Sequence, residues 1–206
     1  MTKCAIKNLN PGDRFGYGMK SAIVLDKMDD GVLCMVVDEN YQCEFDKDNN
    51  NNFVASTLRR ELDSDYAQQW LNEGANFRDF EAMEVDLTAD DGLDDYGTCT
   101  CFFAPRTCDQ HRKYRKLIPN CDNWEWTATP FSTNNVRAVN TDGSLHYSLA
   151  HYAYWVRPLF KLKPDTEVEV DTTNSVEESS LMDVMRKLVD EHGFPEVMDT
   201  LAKVIA

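Results

Sequence analysis

Four of the seven cysteines lie close together in the sequence, with a histidine among them. These residues are Cys99, Cys101, His111, Cys108 and Cys121. Thiolates and imidazoles are the ligands that zinc prefers in proteins. The spacing lacks the C-x-x-C pair of the common zinc modules, and the odd cysteine count without an export signal favours reduced thiols over disulfides. We therefore predict no bound metal, and we leave a metal- or thiol-dependent enzyme as an open alternative.

Two further patterns have some chemical potential, but each is incomplete. Residues 46–50 (Asp-Lys-Asp-Asn-Asn) begin like a calcium-binding loop, yet Thr57 stands where such a loop needs Glu. His146, Ser148 and His151 lie near one another, but no Gly-x-Ser-x-Gly turn surrounds the serine. Together with the absence of a Gly-rich phosphate loop, these patterns predict that the chain is not an enzyme and needs no cofactor.

Aromatic and polar side chains are concentrated between Trp124 and Arg157. The candidate ligand- or partner-binding residues are Asn134, Asn135, Arg137, Asn140, Asp142, His146, Tyr147, Tyr152 and Tyr154. Tyrosine-rich polar loops on a β scaffold are typical of recognition, because tyrosine gives a large contact area at a low cost in entropy. Trp124 and Trp126 share one face of a predicted strand, and we expect both rings to belong to the core.

The charge of the chain is strongly negative and unevenly placed. The formal net charge of −15 opposes direct binding to nucleic acid. Residues 79–95 carry eight carboxylates and no Lys or Arg, whereas residues 106–116 carry five Lys or Arg. The simpler interpretation is that the acidic segment faces the basic helix within the fold. The alternative is an acidic phage inhibitor that imitates nucleic acid and blocks a host defence protein, through Asp86, Asp90, Asp91, Asp94 and Asp95.

The elements that position these residues are mainly strands. Residues 21–25 and 32–37 are apolar and β-branched, and the turn at 29–31 predicts a hairpin between them. A helical spacing of apolar residues runs from 54 to 70, with Ser56 as the predicted N-cap. The second half is predicted to contain strands at 84–88, 100–104, 124–128, 136–140, 144–149 and 155–162, and a short basic helix at 109–117.

The C-terminal part differs in composition. Residues 163–180 are rich in Thr, Asn, Ser and Glu, which predicts a linker. Residues 181–206 follow helical spacing in two short segments, where Gly193 ends the first and Pro195 begins the second. Because two short helices cannot bury their apolar stripes alone, this helical hairpin predicts docking, partner binding or self-association.

A set of ordered blocks resembles a known family. The blocks are residues 52–62, 101–104, 111–119, 124–130, 139–145 and 156–158. They resemble an uncharacterised domain family of bacteria and their phages, which carries a W-[TRL]-x-[ST]-P block and ends on G-V-R-P. That family is similar to the C-type-lectin-like fold of formylglycine-generating enzymes and of the variable proteins of diversity-generating retroelements. The resemblance covers residues 7–162 and implies no catalytic residues. Two residues depart from it: Trp155 replaces the usual Gly, and Glu125 interrupts an aromatic run.

These observations predict an α+β chain with a C-type-lectin-like domain at 1–162, a linker at 163–180 and a helical hairpin appendix at 181–206. The predicted function is a non-enzymatic binding module, encoded by a phage or prophage. We expect a protein partner, possible self-association through 181–206, no direct nucleic-acid binding and no membrane association. No apolar run approaches the roughly 20 residues of a membrane span, and the first residues lack a signal peptide, which predicts the cytoplasm of a bacterial host cell.

Overall fold

The computed structural model describes residues 2–38, 41–91 and 96–170 of the chain. The strands are β1 (Thr2–Ala5), β2 (Arg14–Tyr17), β3 (Lys20–Met28), β4 (Gly31–Val36), β5 (Gln42–Glu44), β6 (Phe80–Glu81), β7 (Met83–Asp86), β8 (Thr98–Cys101), β9 (Glu125–Ser132), β10 (Asn135–Val139), β11 (Leu145–Leu149), β12 (Ala153–Trp155), β13 (Leu159–Leu162) and β14 (Glu167–Val170). The helices are α1 (Thr57–Glu61), α2 (Ala67–Asn72) and α3 (Cys108–Tyr114), and a π-helical turn, Leu62–Tyr66, joins α1 to α2. The described chain is therefore α+β and mostly sheet, as the sequence predicts.

Residues Lys3–Glu169 form one compact unit. Residues 1–2 and 170–206 make up a second unit, and nearly all of them lie outside the described ranges. The helical hairpin predicted at 181–206, with its proposed self-association, also lies outside the described residues.

The larger sheet has seven strands in the order β1-β14-β2-β3-β4-β13-β6. β3 and β4 form the predicted hairpin. Gly31 opens β4, where a Cβ atom would lie 2.7 Å from the carbonyl oxygen of Leu162 on the neighbouring strand β13. This close approach explains why glycine stands at that position.

The predicted helix packs its apolar stripe against this sheet. Trp70 in α2 is 1% exposed, and its ring centroid lies 4.9 Å from that of Phe160 in β13 and 5.5 Å from that of Phe80 in β6. Tyr66 and Phe103 complete the aromatic cluster, with centroids 5.5 Å apart. Aromatic pairs at these distances add to the stabilisation that burial of apolar area provides.

The start of α1 uses the acidic loop that precedes it. Ser56 is the N-cap, as predicted, and its Oγ accepts a hydrogen bond from the Arg59 N–H at 3.0 Å. The Asp46 carboxylate accepts from the Thr57 N–H at 2.9 Å and from the Asn50 N–H at 3.0 Å. The carboxylate of Asp46 thus holds the loop against the helix, which accounts for part of the calcium-like pattern.

The smaller sheet has five strands in the order β11-β10-β9-β12-β5. β9, β10 and β11 form an antiparallel meander, and register shifts in the β9–β10 pair mark a bulge near Val136. β12 runs parallel to β9 and antiparallel to β5. Most of the predicted binding residues therefore lie on or beside this sheet.

Two predictions about the end of the domain are wrong in detail. The strand expected at 155–162 is divided into β12 and β13, because Pro158 has no N–H for a ladder and Arg157 turns inward to an ion pair. The linker expected at 163–180 is wrong for Glu167–Val170, which is a strand of the seven-stranded sheet, paired with β2 at Gly16, and residues 171–180 lie outside the described residues. Val168 is buried there, so the alternation at 167–170 marks a half-buried strand.

Candidate recognition surface

The register of the five-stranded sheet separates the predicted binding residues. In the β10–β11 pair, Arg137 lies opposite Tyr147, and Ala138 lies opposite His146. Paired residues share a face and successive residues alternate, so Tyr147 and His146 point to opposite sides. The residues predicted between 134 and 154 therefore do not form one surface.

One side of the sheet, here called the aromatic face, carries five rings in a line. The ring centroids of His146 and Trp124 lie 5.3 Å apart, and those of Trp124 and Tyr154 lie 5.5 Å apart. The ring centroids of Tyr152 and Tyr154 lie 6.4 Å apart, and those of His151 and Tyr152 lie 4.7 Å apart. Tyr152 is 49% exposed, and both histidines are exposed. The line thus presents a continuous strip of rings to solvent.

The aromatic face is anchored in the core beneath it. Tyr154 contacts Trp126, with centroids 4.6 Å apart, and Trp126 contacts Phe45 at 5.6 Å. Trp126 is 1% exposed, and its Nε1–H donates to the carbonyl of Cys43 at 3.1 Å. The expectation that Trp126 belongs to the core is confirmed, whereas Trp124 is only half-buried and lies in the exposed line. A buried anchor of this kind holds the strip in a fixed geometry.

The opposite side of the sheet carries a different arrangement. The Arg137 guanidinium lies over the Phe131 ring at 4.0 Å, and Phe131 stacks on Tyr147 at 4.3 Å. Arg137 also forms an ion pair with Asp90 at 2.7 Å. Tyr147 is 54% exposed, but Arg137 is committed to contacts within the fold.

Asp90 is neutralised inside the structure. Its carboxylate pairs with Arg112 of α3 at 2.7 Å as well as with Arg137, and its side chain is 11% exposed. Arg112 also pairs with Asp109 at 2.8 Å. The interpretation that the acidic segment faces the basic helix is therefore correct for Asp90. The prediction that Asp90 belongs to an acidic partner surface stays a prediction, but two arginines of the fold already neutralise its charge.

The other residues of the predicted acidic surface differ in position. Asp86 is exposed and accepts hydrogen bonds from the N–H of Thr88 at 2.9 Å and from its hydroxyl at 2.6 Å. These bonds lower the pKa of the Asp86 carboxyl. Asp91 is exposed, and Asp94 and Asp95 lie outside the described residues.

Three of the predicted polar residues shape turns. The Asn134 carbonyl accepts from the Ala150 N–H at 3.0 Å, and the Asn135 side chain donates to the Ser132 hydroxyl at 2.7 Å. The side-chain carbonyl of Asn140 accepts from the backbone N–H of the next residue at 2.7 Å. The side-chain bonds of Asn135 and Asn140 are local, which is the usual reason for asparagine in turns, whereas Asn134 uses only its backbone carbonyl.

A row of Asp142, Ser144 and His146 invites comparison with a catalytic triad. Ser144 donates its hydroxyl proton to Asp142, and the Nε2 of His146 lies 3.1 Å from the same hydroxyl oxygen. In a triad the histidine takes the serine proton and the carboxylate orients the histidine. Here the carboxylate holds the serine instead, which is the order of an Asx turn rather than of an activated nucleophile.

The strand β11 forms one edge of the five-stranded sheet. Within the described residues it pairs only with β10. Hydrogen bonds from the Asn140 N–H to the Ser144 carbonyl and from the Ala150 N–H to the Asn134 carbonyl flank the pair. By the alternation of antiparallel bonds, the backbone groups of Tyr147 point away from β10. This strand carries no Lys, Asp, Glu or Pro to obstruct pairing with another chain.

A buried ion cluster links strand β9 to the segment before α3 and to the segment between β12 and β13. The sequence did not predict a site there. Glu125 of β9 is 1% exposed and binds Arg106 at 2.8 Å and the Nη2 of Arg157 at 2.7 Å. A second bond runs from the Nε of Arg157 to the other carboxylate oxygen. Burial alone would raise the pKa of Glu125, but the two arginines bring it down to about 2. The sequence feature that could have indicated this cluster is Glu125 itself, a charged residue between Trp124 and Trp126.

His111 extends this cluster towards the turn after β10. Its Nδ1 accepts from the Nε–H of Arg106 at 3.2 Å, so Nε2 carries the proton and donates to the Gly143 carbonyl at 2.9 Å. Burial, followed by the charge of Arg106, lowers the pKa of His111 and keeps its ring neutral. Gly143 has a φ of +79°, a conformation that favours glycine.

The four clustered cysteines do not come together. Among the described residues, no three His, Cys, Asp or Glu side chains converge where they could hold a metal ion. Cys108 begins α3, where its N–H donates to the Thr129 hydroxyl at 2.9 Å, and Cys121 lines a cleft of about 370 Å³ beside Arg157. Cys99 and Cys101 lie on β8, as alternate residues of one strand.

Comparison with known proteins gives no relative: no family model, no curated protein and no solved structure matches this chain. Within the part of the chain that the structure describes, no helix has the length and apolar character to span a membrane.

Proposed function

We propose that this chain is a non-enzymatic module that binds a protein partner through the aromatic face. The observation that carries the proposal is the continuous line of five rings from His146 to His151, exposed at both ends and half-buried at Trp124 and Tyr154, over a buried tryptophan anchor. Aromatic side chains on a rigid base are the residues that contribute most binding energy in protein interfaces. Scattered exposed apolar residues are ordinary, but a contiguous strip of this kind marks an interaction site.

The partner that fits this surface is an extended, basic segment of a protein. The open edge of β11 offers backbone N–H and C=O groups beside the rings, so that an added strand gains main-chain hydrogen bonds while its alternate side chains meet the aromatic face. The net charge of −15 attracts a basic segment over long range. Lysine or arginine side chains also interact favourably with the faces of Trp and Tyr rings.

The C-type-lectin-like fold, the phage or prophage origin, the cytoplasmic location and the self-association through 181–206 belong to the same proposal. Contacts between the resembling blocks support the fold assignment. His111 of the block at 111–119 binds the Gly143 carbonyl of the block at 139–145, whereas Glu125, which Arg157 binds, departs from the family pattern. Two blocks that are distant in sequence thus lie in contact, which is compatible with the proposed fold.

Site-specific photo-crosslinking tests the proposal. A benzophenone amino acid is placed at Tyr152 in the full chain, and the matched control carries it at Phe77, which is similarly exposed at 42% but lies before β6. We expect a specific protein adduct from a lysate of the source organism with the Tyr152 probe and none with the Phe77 probe. Mass spectrometry of the adduct should place the cross-link in an extended basic segment.

Alanine variants then locate the binding energy. Trp124→Ala should weaken binding of the identified segment by about tenfold or more, because the ring is central to the line. Phe77→Ala removes an exposed ring that lies outside the five-stranded sheet and should change binding by less than about twofold. Equal adducts from both probe positions, or equal losses in both alanine variants, would rule out the aromatic face as the binding surface.

A further inference from the structure

We propose that Cys99 and Cys101 form a reactive dithiol site that exchanges with low-molecular-weight disulfides of the glutathione type. This inference rests on β8 and α1 alone and is independent of the proposed recognition function. It assigns a role to two thiols that the aromatic face does not use.

The strand geometry places both thiols on one side. Cys99 and Cys101 are alternate residues of β8, where they pair with Val85 and Met83 of β7. Val85 and Met83 are buried, so this side of the two-stranded sheet faces the interior, and Thr100 faces outward between the cysteines. The two thiols are therefore neighbours in space as well as in sequence.

The two cysteines differ in exposure and in pKa, as thiol–disulfide exchange requires of an attacking and a resolving thiol. Cys99 is half-buried, whereas Cys101 is 4% exposed. The pKa of Cys99 is lowered chiefly by its interaction with the neighbouring Cys101 thiol, whereas the same interaction and burial raise the pKa of Cys101. An accessible thiol with stabilised thiolate beside a protected thiol is the arrangement of an attacking and a resolving cysteine.

Arg59 supplies positive charge next to this pair. Its guanidinium donates to the Thr100 carbonyl at 3.3 Å, between the two cysteines, and it also pairs with Asp63 at 2.8 Å. The charge of Arg59 lowers the pKa of Cys99, and the charge of Asp63 opposes this effect. The neighbouring Cys101 thiol is the largest cause and outweighs the opposing effect of burial, so Cys99 keeps a lowered pKa.

The small disulfide is the only oxidant that the exchange needs. The Cys99 thiolate attacks one sulfur of the small disulfide, whose S–S bond breaks, and the first small thiolate leaves and takes a proton. The Cys101 thiol then loses its proton and attacks the Cys99 sulfur, which releases the second small thiol. Two protein thiols are oxidised to one disulfide, and one small disulfide is reduced to two thiols.

The resulting bridge should be easily reversed. Alternate residues of an extended strand have Cα and Cβ atoms roughly 6.5 Å apart, whereas a disulfide needs Cβ atoms about 3.5–4.5 Å apart. β8 must therefore shorten to close the bridge, and within the described residues its only strand neighbour is β7. A strained, partly exposed disulfide has a higher reduction potential than a structural one, as a reversible site requires.

Peptide mass analysis gives a direct test, because the tryptic peptide of residues 79–106 contains Cys99 and Cys101 and no other cysteine. The reduced full chain is treated with oxidised glutathione at neutral pH, quenched with acid and alkylated. We expect this peptide to lose the mass of two hydrogens. Cys101→Ser should instead hold one glutathione on Cys99, and Cys99→Ser should leave Cys101 unmodified in the folded chain.

Cys4 provides an internal comparison, since it is also half-buried but has no second cysteine close to it in the sequence. We expect Cys99 to react about threefold to tenfold faster than Cys4, and Arg59→Gln to reduce that ratio while Arg59→Lys retains it. Reaction at equal rates, or a peptide 79–106 that gains only glutathione and never closes a bridge, would overturn the proposal.

Discussion

Arg157 holds both carboxylate oxygens of Glu125 from the segment that links β12 to β13. The same guanidinium donates to the Pro119 carbonyl at 2.9 Å, and Arg106 approaches Glu125 from a second direction. One carboxylate thus fixes three segments of the chain relative to one another. The charge balance of this cluster leaves a net positive charge in a buried place, so every member depends on Glu125.

Removal of the Glu125 charge should destabilise the protein strongly. We expect Glu125→Gln to lower the free energy of unfolding by about 3–5 kcal/mol, because it leaves two buried guanidinium groups without a counter-charge. Chemical denaturation followed by tryptophan fluorescence measures this change. Glu84→Gln, at an exposed position of β7, is the control and should stay within about 0.5 kcal/mol. A loss below about 1 kcal/mol for Glu125→Gln would show that the cluster is solvated.

The Glu125 carboxylate should make the stability of the protein depend on pH in the acidic range. Its folded pKa of about 2 is below the unfolded value of 4.5, so its contribution is fully present above pH 4.5 and is lost as the pH falls towards 2. Thermal unfolding between pH 6 and pH 2.5 should therefore show a fall in Tm that is smaller in Glu125→Gln. Parallel curves for the two proteins would contradict the assignment.

Asp90 should matter for stability rather than for surface charge. Asp90→Asn removes the partner of Arg112 and Arg137 in a largely buried place, and we expect a loss of about 1–2 kcal/mol. Asp109→Asn removes a carboxylate that also pairs with Arg112 but is 90% exposed, and it should cost less than about 0.5 kcal/mol. Equal effects in denaturation experiments would mean that Asp90 is open to solvent and available to a partner.

Two truncations separate the last strand from the chain beyond it. A chain that ends after Val170 keeps β14, whereas one that ends after Leu162 loses the buried Val168. The shorter chain should lose about 2 kcal/mol or more of stability, since burial of a valine contributes about 1.5–3 kcal/mol. Sedimentation of the longer truncation tests the self-association proposed for 181–206: it should be monomeric where the full chain is not. Equal thermal stability of the two truncations would contradict the role of β14.

Local sequence patterns predicted the hairpin and the helices, because these elements depend on interactions between residues close together in the sequence. The β3–β4 hairpin follows from two apolar runs around a turn, and the helix from Ser56 to Trp70 follows from a cap and a spacing of apolar residues. Each of these depends on residues within one or two turns of the chain, which a sequence displays directly. The basic helix α3 was predicted for the same reason, with an end that differs by three residues.

Features that depend on pairing between distant segments were not predictable in this way. The division of the binding residues between two faces depends on the register that sets Arg137 against Tyr147. The role of Glu125 depends on Arg157, which is 32 residues away. Residues 167–170 have the alternation of a strand, but their place in the sheet is decided by β2, near the other end of the domain.

The position of β14 beside β2 has a consequence for how the chain is made. A ribosome releases β2, β3 and β4 early, yet the sheet they begin keeps a gap until residues 167–170 have left the exit tunnel. For most of synthesis the nascent chain therefore exposes an unsatisfied strand edge at β2, which is open to pairing with neighbouring nascent chains. The larger sheet can therefore close only after residues 167–170 have emerged, and its yield in a cell should depend on the chaperones that protect that edge until this strand arrives.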